Sequence, residues 1–592
     1  YCSTKTWQRP FKPSYWYNPG SEPLTPMTTG QLVELAADKW GDKEALVSMH
    51  QKHRLTFKQV CEKTFRGLVL CGNQANTHDL AQTYILQADQ LAGGLLDLGV
   101  KRGDRLGIWG PNSSEWYLTQ MAAARAGLVL VNINPAYQTP ELLYCLNKVG
   151  VKALIAAERF KSQDYHQMVQ NIAPELMSSQ PGKLESKAVP TLRSLIFISE
   201  QNLPGAFRFD DILGGAKAES IGQIRQMQDD IQPDEGCNIQ FTSGTTGNPK
   251  ATLLSHHNIV NNSLTIGKGL GYHLQEHRIC LQAPFFHCFG NVVGVLSAMH
   301  YGATIVIPGA SFKAEESLSS IDQEKCTIVY GTPTMYVDLV RAVDRIKPSL
   351  TSLQAALSTG SHCSQQLFEQ MLDKLKVERV CSVYGLTETS PVVFQTHMSD
   401  TREQTTTTLG HSLAHLEVKI VDADGKMVPL GTPGELYVRG YSTMLCYWGD
   451  EDKTKEAIGQ DGWFKTGDQF VLQEDGLGRV VGRLKDMIIR GGENIFPKEI
   501  EDFLQTHPDI LEAQVFGIAD ERLGEEVCAA VRVTEGSTIS QSDLKAYCKG
   551  KISHFKVPRY LMAVSEFPKT TSGKIQKFKL KQMLENKLGI SK

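Results

Sequence analysis

Thirteen cysteines are present, yet no two stand as a CxxC pair and no Cys/His group has zinc spacing. That absence excludes a disulfide scaffold and a metal finger, and it favours a reducing compartment. Strong charge of either sign is also missing. The formal net charge is -3 over 592 residues, so there is no global basic field of the kind nucleic-acid binders carry. A long uninterrupted apolar run is missing as well. The most apolar stretch, Asn291–Ile307, is broken by His300 and glycines, which reads as a core helix and strand and not as a transmembrane segment. A Walker A loop is lacking too.

What is present is ordinary globular composition, with 41% hydrophobic and 21% charged residues. The length suits one large α/β domain with a small appendage. Residues 1–21 carry Lys5, Arg9 and Lys12 and no acidic residue. Because the chain begins at Tyr1, residues 1–29 read either as a remnant of a mitochondrial presequence or as a polar lead-in.

Strand-like runs at Gly127–Asn132, Ala153–Ala157, Ser194–Ser199, Thr304–Ile307, Thr327–Tyr330 and Val380–Tyr384 alternate with helical patterns such as Glu115–Ala126. This predicts α/β architecture: a large multi-layered N-terminal domain with largely parallel β-sheets flanked by helices, over residues 30–482. Leu55-Thr56-Phe57 opens what should be a helix ending near Gly99. Residues 58–81 interrupt it and read as an inserted loop. A hinge is expected at 483–486. Beyond it, 487–592 reads as a small mobile α+β domain: a helix at Pro497–Gln505, strands at Glu512–Ile518 and Glu526–Val533, and a helix with Leu544, Tyr547, Cys548 and Ile552 on one face.

Five segments carry chemistry. TSGTTGNPK comprises Thr242, Ser243, Gly244, Thr245, Thr246, Gly247, Asn248, Pro249 and Lys250. Its glycines let the backbone approach an anion, its hydroxyls donate, and Lys250 brings a positive charge, which together suit a triphosphate. The spacing is not that of Walker A, because Lys250 follows Pro249 and precedes Ala251. VYGLTETSP places Tyr384, Thr387 and Glu388 at a strand end, where a carboxylate beside hydroxyls can take Mg2+; a buried Glu at a helix start would read the same. GWFKTGD sets Asp468 after a tight turn, able to accept from a ribose diol or simply to cap the turn. GRLKDMIIRGGENIFPKEIE offers Arg483 to a ribose or phosphate, and its Gly491-Gly492 pair suits a backbone lying close to a ligand. PKTTSGKIQK presents Lys574 on a flexible loop, where it can neutralise charge in a transition state. His287, in APFFHCFG, sits among aromatics; His256-His257 lack a third ligand at metal spacing.

In this order the motifs resemble those of the adenylate-forming superfamily, which includes acyl-CoA synthetases, luciferase and peptide-synthetase adenylation domains. The resemblance runs from about Gly30 to Leu588. NIQFTSGTTGNPK, SHHNIVNNS, YGTPTMYVD, VGRLKDMIIRGGENIFP, GKISHFKVPRY and SGKIQKFKLK are similar, more narrowly, to the mitochondrial medium-chain fatty acid:CoA ligase branch. The resemblance implies a two-step reaction: ATP and a fatty acid give acyl-AMP and pyrophosphate, then the thiol of coenzyme A displaces AMP. It implies that Thr242–Lys250 bind the phosphates and that Glu388, with Thr245, holds Mg2+. Gly360 would lie against the adenine, with Tyr384 and Thr387 in the same nucleotide site. Asp468 would hold the ribose hydroxyls and Arg483 the ribose–phosphate region. Lys485 would be the hinge and Lys574 the adenylation catalyst. Gly491 and Gly492 would face the CoA tunnel after rotation of the small domain. His287 would shape or gate the acyl pocket, together with Phe286, Gly331, Thr332 and Tyr384. A mitochondrial matrix location follows by resemblance, a cytoplasmic one otherwise.

Two positions depart from the family pattern. Ala251 stands where the family has Gly, which would cost about 1 kcal/mol if the position needs positive φ. His362 stands where proline is usual. Two other functions stay open: adenylation with a different acceptor, and a non-catalytic nucleotide- or acyl-binding paralogue.

Overall fold

The computed structural model describes residues 12–60, 87–242, 249–361, 363–491, 493–520, 522–549, 551–571 and 573–589. Runs of buried β-branched and aliphatic residues, such as TIVI at Thr304–Ile307 and SLIFI at Ser194–Ile198, form strands covered on both faces. They assemble two large sheets. The eight-stranded sheet runs, edge to edge, Phe207–Arg208, Ser194–Ile198, Ala153–Ala157, Arg105–Trp109, Val129–Ile133, Gly236–Thr242, Lys250–Ser255 and Cys446–Tyr447. The nine-stranded sheet runs His411–Ser412, Val392–Gln395, Arg379–Gly385, Ala355–Ser358, Ile328–Gly331, Arg278–Leu281, Thr304–Ile307, Glu44–Ser48 and His53–Thr56. Both are parallel in their centres; the first turns antiparallel at its Cys446–Tyr447 end and the second at both ends.

A third, five-stranded sheet is wholly antiparallel, which the expectation of largely parallel sheets did not include: Tyr15–Asn18, Leu416–Val421, Gly434–Gly440, Phe464–Leu472 and Gly478–Arg483. Tyr15–Asn18 pairs with Leu416–Lys419, so this part of the expected lead-in is an edge strand of the body. Leu55 and Thr56 likewise belong to a strand and do not open a helix; the helix described there is Gln87–Asp97. Of the expected insertion, residues 61–81 lie outside the described residues. Asn291–Ile307 splits between a π-helix at Phe289–Leu296, an α-helix at Ser297–Tyr301 and the strand Thr304–Ile307. Among the described residues no helix is long and apolar enough to cross a membrane.

Helix Ser114–Arg125 shows how a polar side chain is tolerated inside. Ser113 caps it, accepting from Trp116 N–H at 3.1 Å. Its last residue, Arg125, is fully buried, and its guanidinium is held by Asp89 at 2.6 Å and Glu34 at 2.5 Å. Three helices, Thr29–Trp40, Gln87–Asp97 and Ser114–Arg125, are thereby tied at one point.

Strand Gly478–Arg483 ends the third sheet, one 3-10 turn follows at Leu484–Asp486, and Ile488–Arg490 enters a separate sheet. There Ile510–Asp520 and Gly524–Val533 form a long antiparallel pair, and helices Pro497–Leu504, Gln541–Cys548 and Lys577–Leu588 pack on them. Two apolar clusters, one around Ile500, Val515 and Ala529, the other around Phe516, Met562 and Leu584, give this unit its own core.

Candidate active site

The site lies where strand ends of the first three sheets converge on the small C-terminal unit. Gly236–Thr242 and Lys250–Ser255 pair antiparallel, with Phe241 opposite Ala251 and Thr242 opposite Lys250. Thr242 and Lys250, the two ends of TSGTTGNPK, are thus paired strand residues, and Lys250 opens a strand, whereas the lysine of a Walker A loop opens a helix. Ser243, Gly244, Thr245, Thr246, Gly247 and Asn248 lie outside the described residues. At the loop's base, Thr242 Oγ1 is buried and has no partner among the described residues. Lys250 points from the other strand toward Glu388, 3.8 Å away.

Ala251 needs correction against the sequence reading. It sits in an extended strand, not in the positive-φ region, and is fully buried. Its carbonyl accepts from Trp448 N–H at 2.8 Å. No backbone strain arises there. His362 lies outside the described residues.

Glu388 occupies a single 3-10 turn, Thr387–Thr389, after strand Arg379–Gly385. It is buried and accepts from Tyr447 OH at 2.8 Å. Thr387 Oγ1 lies 3.8 Å from Cys288 Sγ, so the turn packs on the His287 segment. Asp468 comes from strand Phe464–Leu472, directly opposite Arg483. Gly467, at φ +71°, supplies the bend before it. The Asp468 carboxylate accepts from Tyr384 OH at 2.7 Å and lies 3.3 Å from Arg483 Nε. Burial raises the Asp468 carboxyl above the usual range, while the Arg483 guanidinium opposes that rise. Burial and the Asp468 charge push the Tyr384 phenol up, so its proton stays on oxygen.

Lys574 arrives from the small unit. Its loop is not loose here: Thr570 N–H donates to Lys574 O at 2.7 Å, and Lys574 N–H donates to Thr570 Oγ1 at 3.0 Å. Thr334 Oγ1, at the start of helix Pro333–Ile346, donates to Gly573 O at 3.3 Å. Gly573 has φ +83°, and a Cβ there would come within 2.9 Å of Thr332 Oγ1. Glycine thus permits the close approach that seats the loop. Burial lowers the Lys574 ammonium below the ordinary lysine range, and Arg483 adds to the fall. Burial, with the Lys574 charge nearby, pushes the His287 imidazole down to about 3, so the ring is neutral. Phe289 N–H donates to His287 Nδ1 at 3.2 Å, which leaves the ring proton on Nε2.

Lys574, Arg483, Asp468, Glu388, Tyr384, Thr387, His287 and Lys250 are therefore neighbours in one site. Lys485 lies on the connecting turn, its ammonium lowered by burial and by Arg483. Gly360, at φ +90°, follows strand Ala355–Ser358. Gly491 is elsewhere in this arrangement: at φ +59°, it turns a hairpin of the small unit and donates to Leu523 O at 2.7 Å. Gly492 lies outside the described residues. His256 is structural, its Nδ1 accepting from Thr29 N–H at 3.1 Å. A groove of about 950 Å3 leads inward between Asn112, Pro135, Phe286, Arg341 and the Lys569–Gly573 loop.

The donor set fits a Mg2+–nucleotide. One carboxylate with flanking hydroxyls suits an ion that keeps phosphates and waters, and the buried Thr242 hydroxyl, without a partner among the described residues, belongs to the segment expected to hold phosphates. Among the described residues no group of three His, Cys, Asp or Glu forms a dedicated metal cage. Tyr447 was missed from sequence. It stands in MLCYWGD, which carries no pattern of its own, 59 residues from Glu388.

Residues 82–448 match the AMP-binding enzyme family, and residues 499–574 match its C-terminal domain. The chain belongs to the AMP-binding enzyme family. Within the family, it is 44% identical over 570 residues to the mitochondrial medium-chain acyl-CoA ligase ACSF2 of Mus musculus, covering 95% of this chain and 89% of that one. The anthranilate CoA ligase AuaEII, solved with anthranoyl-AMP, superposes with a TM-score of 0.78 at 25% identity, covering 95% of this chain and 98% of the other. ATP-bound MatB of Rhodopseudomonas palustris shares the fold, with a TM-score of 0.76 at 24% identity over 95% and 99% of the two chains.

Proposed function

We propose that the chain is an acid–thiol ligase that converts a medium-chain fatty acid, ATP and coenzyme A into acyl-CoA, AMP and pyrophosphate. The observation that carries this reading is the convergence of Lys574, Arg483, Asp468 and Glu388 from two domains on one strand-end site, in a member of the AMP-binding enzyme family. Near-full-length similarity to a medium-chain acyl-CoA ligase supports the acyl class. That relative's mitochondrial name supports a mitochondrial location, and the matrix is the compartment proposed within it.

Each residue has a distinct task. Thr242–Lys250 would cradle the phosphates, with Gly360 beside the adenine. Asp468 accepts from the ribose hydroxyls, and Tyr384 fixes its carboxylate. Glu388, with Thr245, would hold Mg2+, which when bound neutralises phosphate charge. Lys574 donates to the carboxylate as it attacks the α-phosphorus; the bond to pyrophosphate breaks and acyl-AMP forms. Neutral His287 borders the acyl path as a donor through Nε2–H. A thiol must then reach the acyl carbon, and a seated Lys574 loop stands in the way. Rotation about Leu484–Asp486 would withdraw Lys574 and bring Gly491 and Gly492 forward, with Lys485 as the pivot.

The test is ATP–pyrophosphate exchange across C2 to C18 acids, with acyl-CoA formation followed when CoA is added. Exchange that peaks at medium chains, and thioester only with CoA, is expected. No exchange with any acid would sink the reading. Exchange without thioester would point to another acceptor.

A further inference from the structure

Tyr447 hydrogen-bonds both members of a long ion pair. Its hydroxyl accepts from Lys250 Nζ at 2.7 Å and donates to Glu388 Oε1 at 2.8 Å, while Lys250 and Glu388 stand 3.8 Å apart. The ring also lies under the ammonium, with Lys250 Nζ 4.2 Å from its centroid. Tyr447 itself is fixed. It is buried, its N–H donates to Thr454 Oγ1 at 3.0 Å, and its strand pairs with the Lys250 strand at Thr252. Burial and the Glu388 charge push its phenol up, so the hydroxyl keeps the proton it gives to Glu388.

We infer that Tyr447 is a positioning residue that holds Lys250 and Glu388 at this long separation and keeps them from closing into a hydrogen-bonded contact pair, so that each stays available to nucleotide. This rests on the adenylation reading, in which Lys250 meets phosphate and Glu388 meets Mg2+. The physical reason is competition. A contact pair between a lysine and a buried carboxylate gains strongly from the low local dielectric. A phosphate would have to break that pair to use Lys250, and Mg2+ would have to break it to use Glu388. A neutral hydroxyl bonded to both satisfies them with weaker bonds that a triphosphate and its metal can displace. The aromatic ring keeps the ammonium on the same side when the hydroxyl is released.

The experiment is calorimetric binding of ATP, without turnover, in EDTA and in Mg2+, to wild type, Tyr447→Phe, Glu388→Gln and the double variant. Phenylalanine keeps the ring and the packing, and circular dichroism checks the fold. In EDTA, Tyr447→Phe should weaken ATP binding roughly 5- to 10-fold, because Glu388 captures Lys250. In the Glu388→Gln background there is no carboxylate to capture it, so the same change should do almost nothing. ATP affinity unchanged by Tyr447→Phe, or an equal loss in both backgrounds, would overturn the role. Wild type that binds no ATP in either buffer would instead overturn the adenylation reading, and this role with it.

Discussion

Ala251→Gly separates two accounts of the phosphate hairpin by the sign of its effect. If position 251 needed a left-handed backbone, glycine would relieve about 1–2 kcal/mol of strain and improve the protein. The structure has it extended, paired with Phe241, and fully buried. Glycine then removes one buried methyl, about 0.8 kcal/mol, and weakens a strand interior by a further 0.5–1 kcal/mol, roughly, through backbone entropy. The net is a loss of about 1.5 kcal/mol, which for a domain this large lowers Tm by roughly 1–2 °C. Exchange kcat should stay within about two-fold, because no charged group moves. Differential scanning fluorimetry and ATP–pyrophosphate exchange on the same preparations check both. A higher Tm, or a several-fold gain in kcat, would refute the extended-strand argument.

Adenylation should fall as pH rises through the Lys574 pKa, which burial and Arg483 set below the ordinary lysine range, because the ammonium is the active form. Lys574→Arg should remove that limb from the exchange profile. No histidine limb is expected between about pH 5 and 8, since His287 is already neutral above about 3; an acid limb abolished by His287→Gln would contradict this. Asp89→Asn should destabilise the protein by about 3 kcal/mol, the low end for breaking a buried pair, because the buried Arg125 guanidinium keeps only the half-exposed Glu34. Urea unfolding of the large domain reads this, and a loss under about 1 kcal/mol would contradict it.

Much of the large domain could be read from sequence, because its central strands are short apolar runs whose character does not depend on partners. Ala153–Ala157 and Thr304–Ile307 fall where expected, and Val380–Tyr384 lies within the strand Arg379–Gly385. The third sheet was not read, although Leu416, Val418 and Ile420 alternate with half-exposed Glu417 and Lys419. Its edge partner, Tyr15–Asn18, comes from the far end of the chain, and pairing over that distance leaves no local pattern. Glu388, Asp468, Arg483 and Lys574, each singled out from a local motif, do stand together in the fold, whereas residues 243–248 of the glycine- and hydroxyl-rich loop lie outside the described residues. Tyr447, Thr334 and the Tyr384–Asp468 bond were not legible, since each acts through a partner that only the fold brings near.

The most direct measurement takes the two half-reactions of Lys574→Ala apart. Lys574 is seated by Thr334 and Gly573 against Arg483, Asp468 and His287, and the proposed mechanism gives it the first step alone. ATP–pyrophosphate exchange should drop by about 10^2- to 10^3-fold, the range for losing one preorganised donor. Acyl-CoA formation from supplied acyl-AMP should remain largely intact. An equal loss in both half-reactions, in a protein that stays folded, would contradict the account.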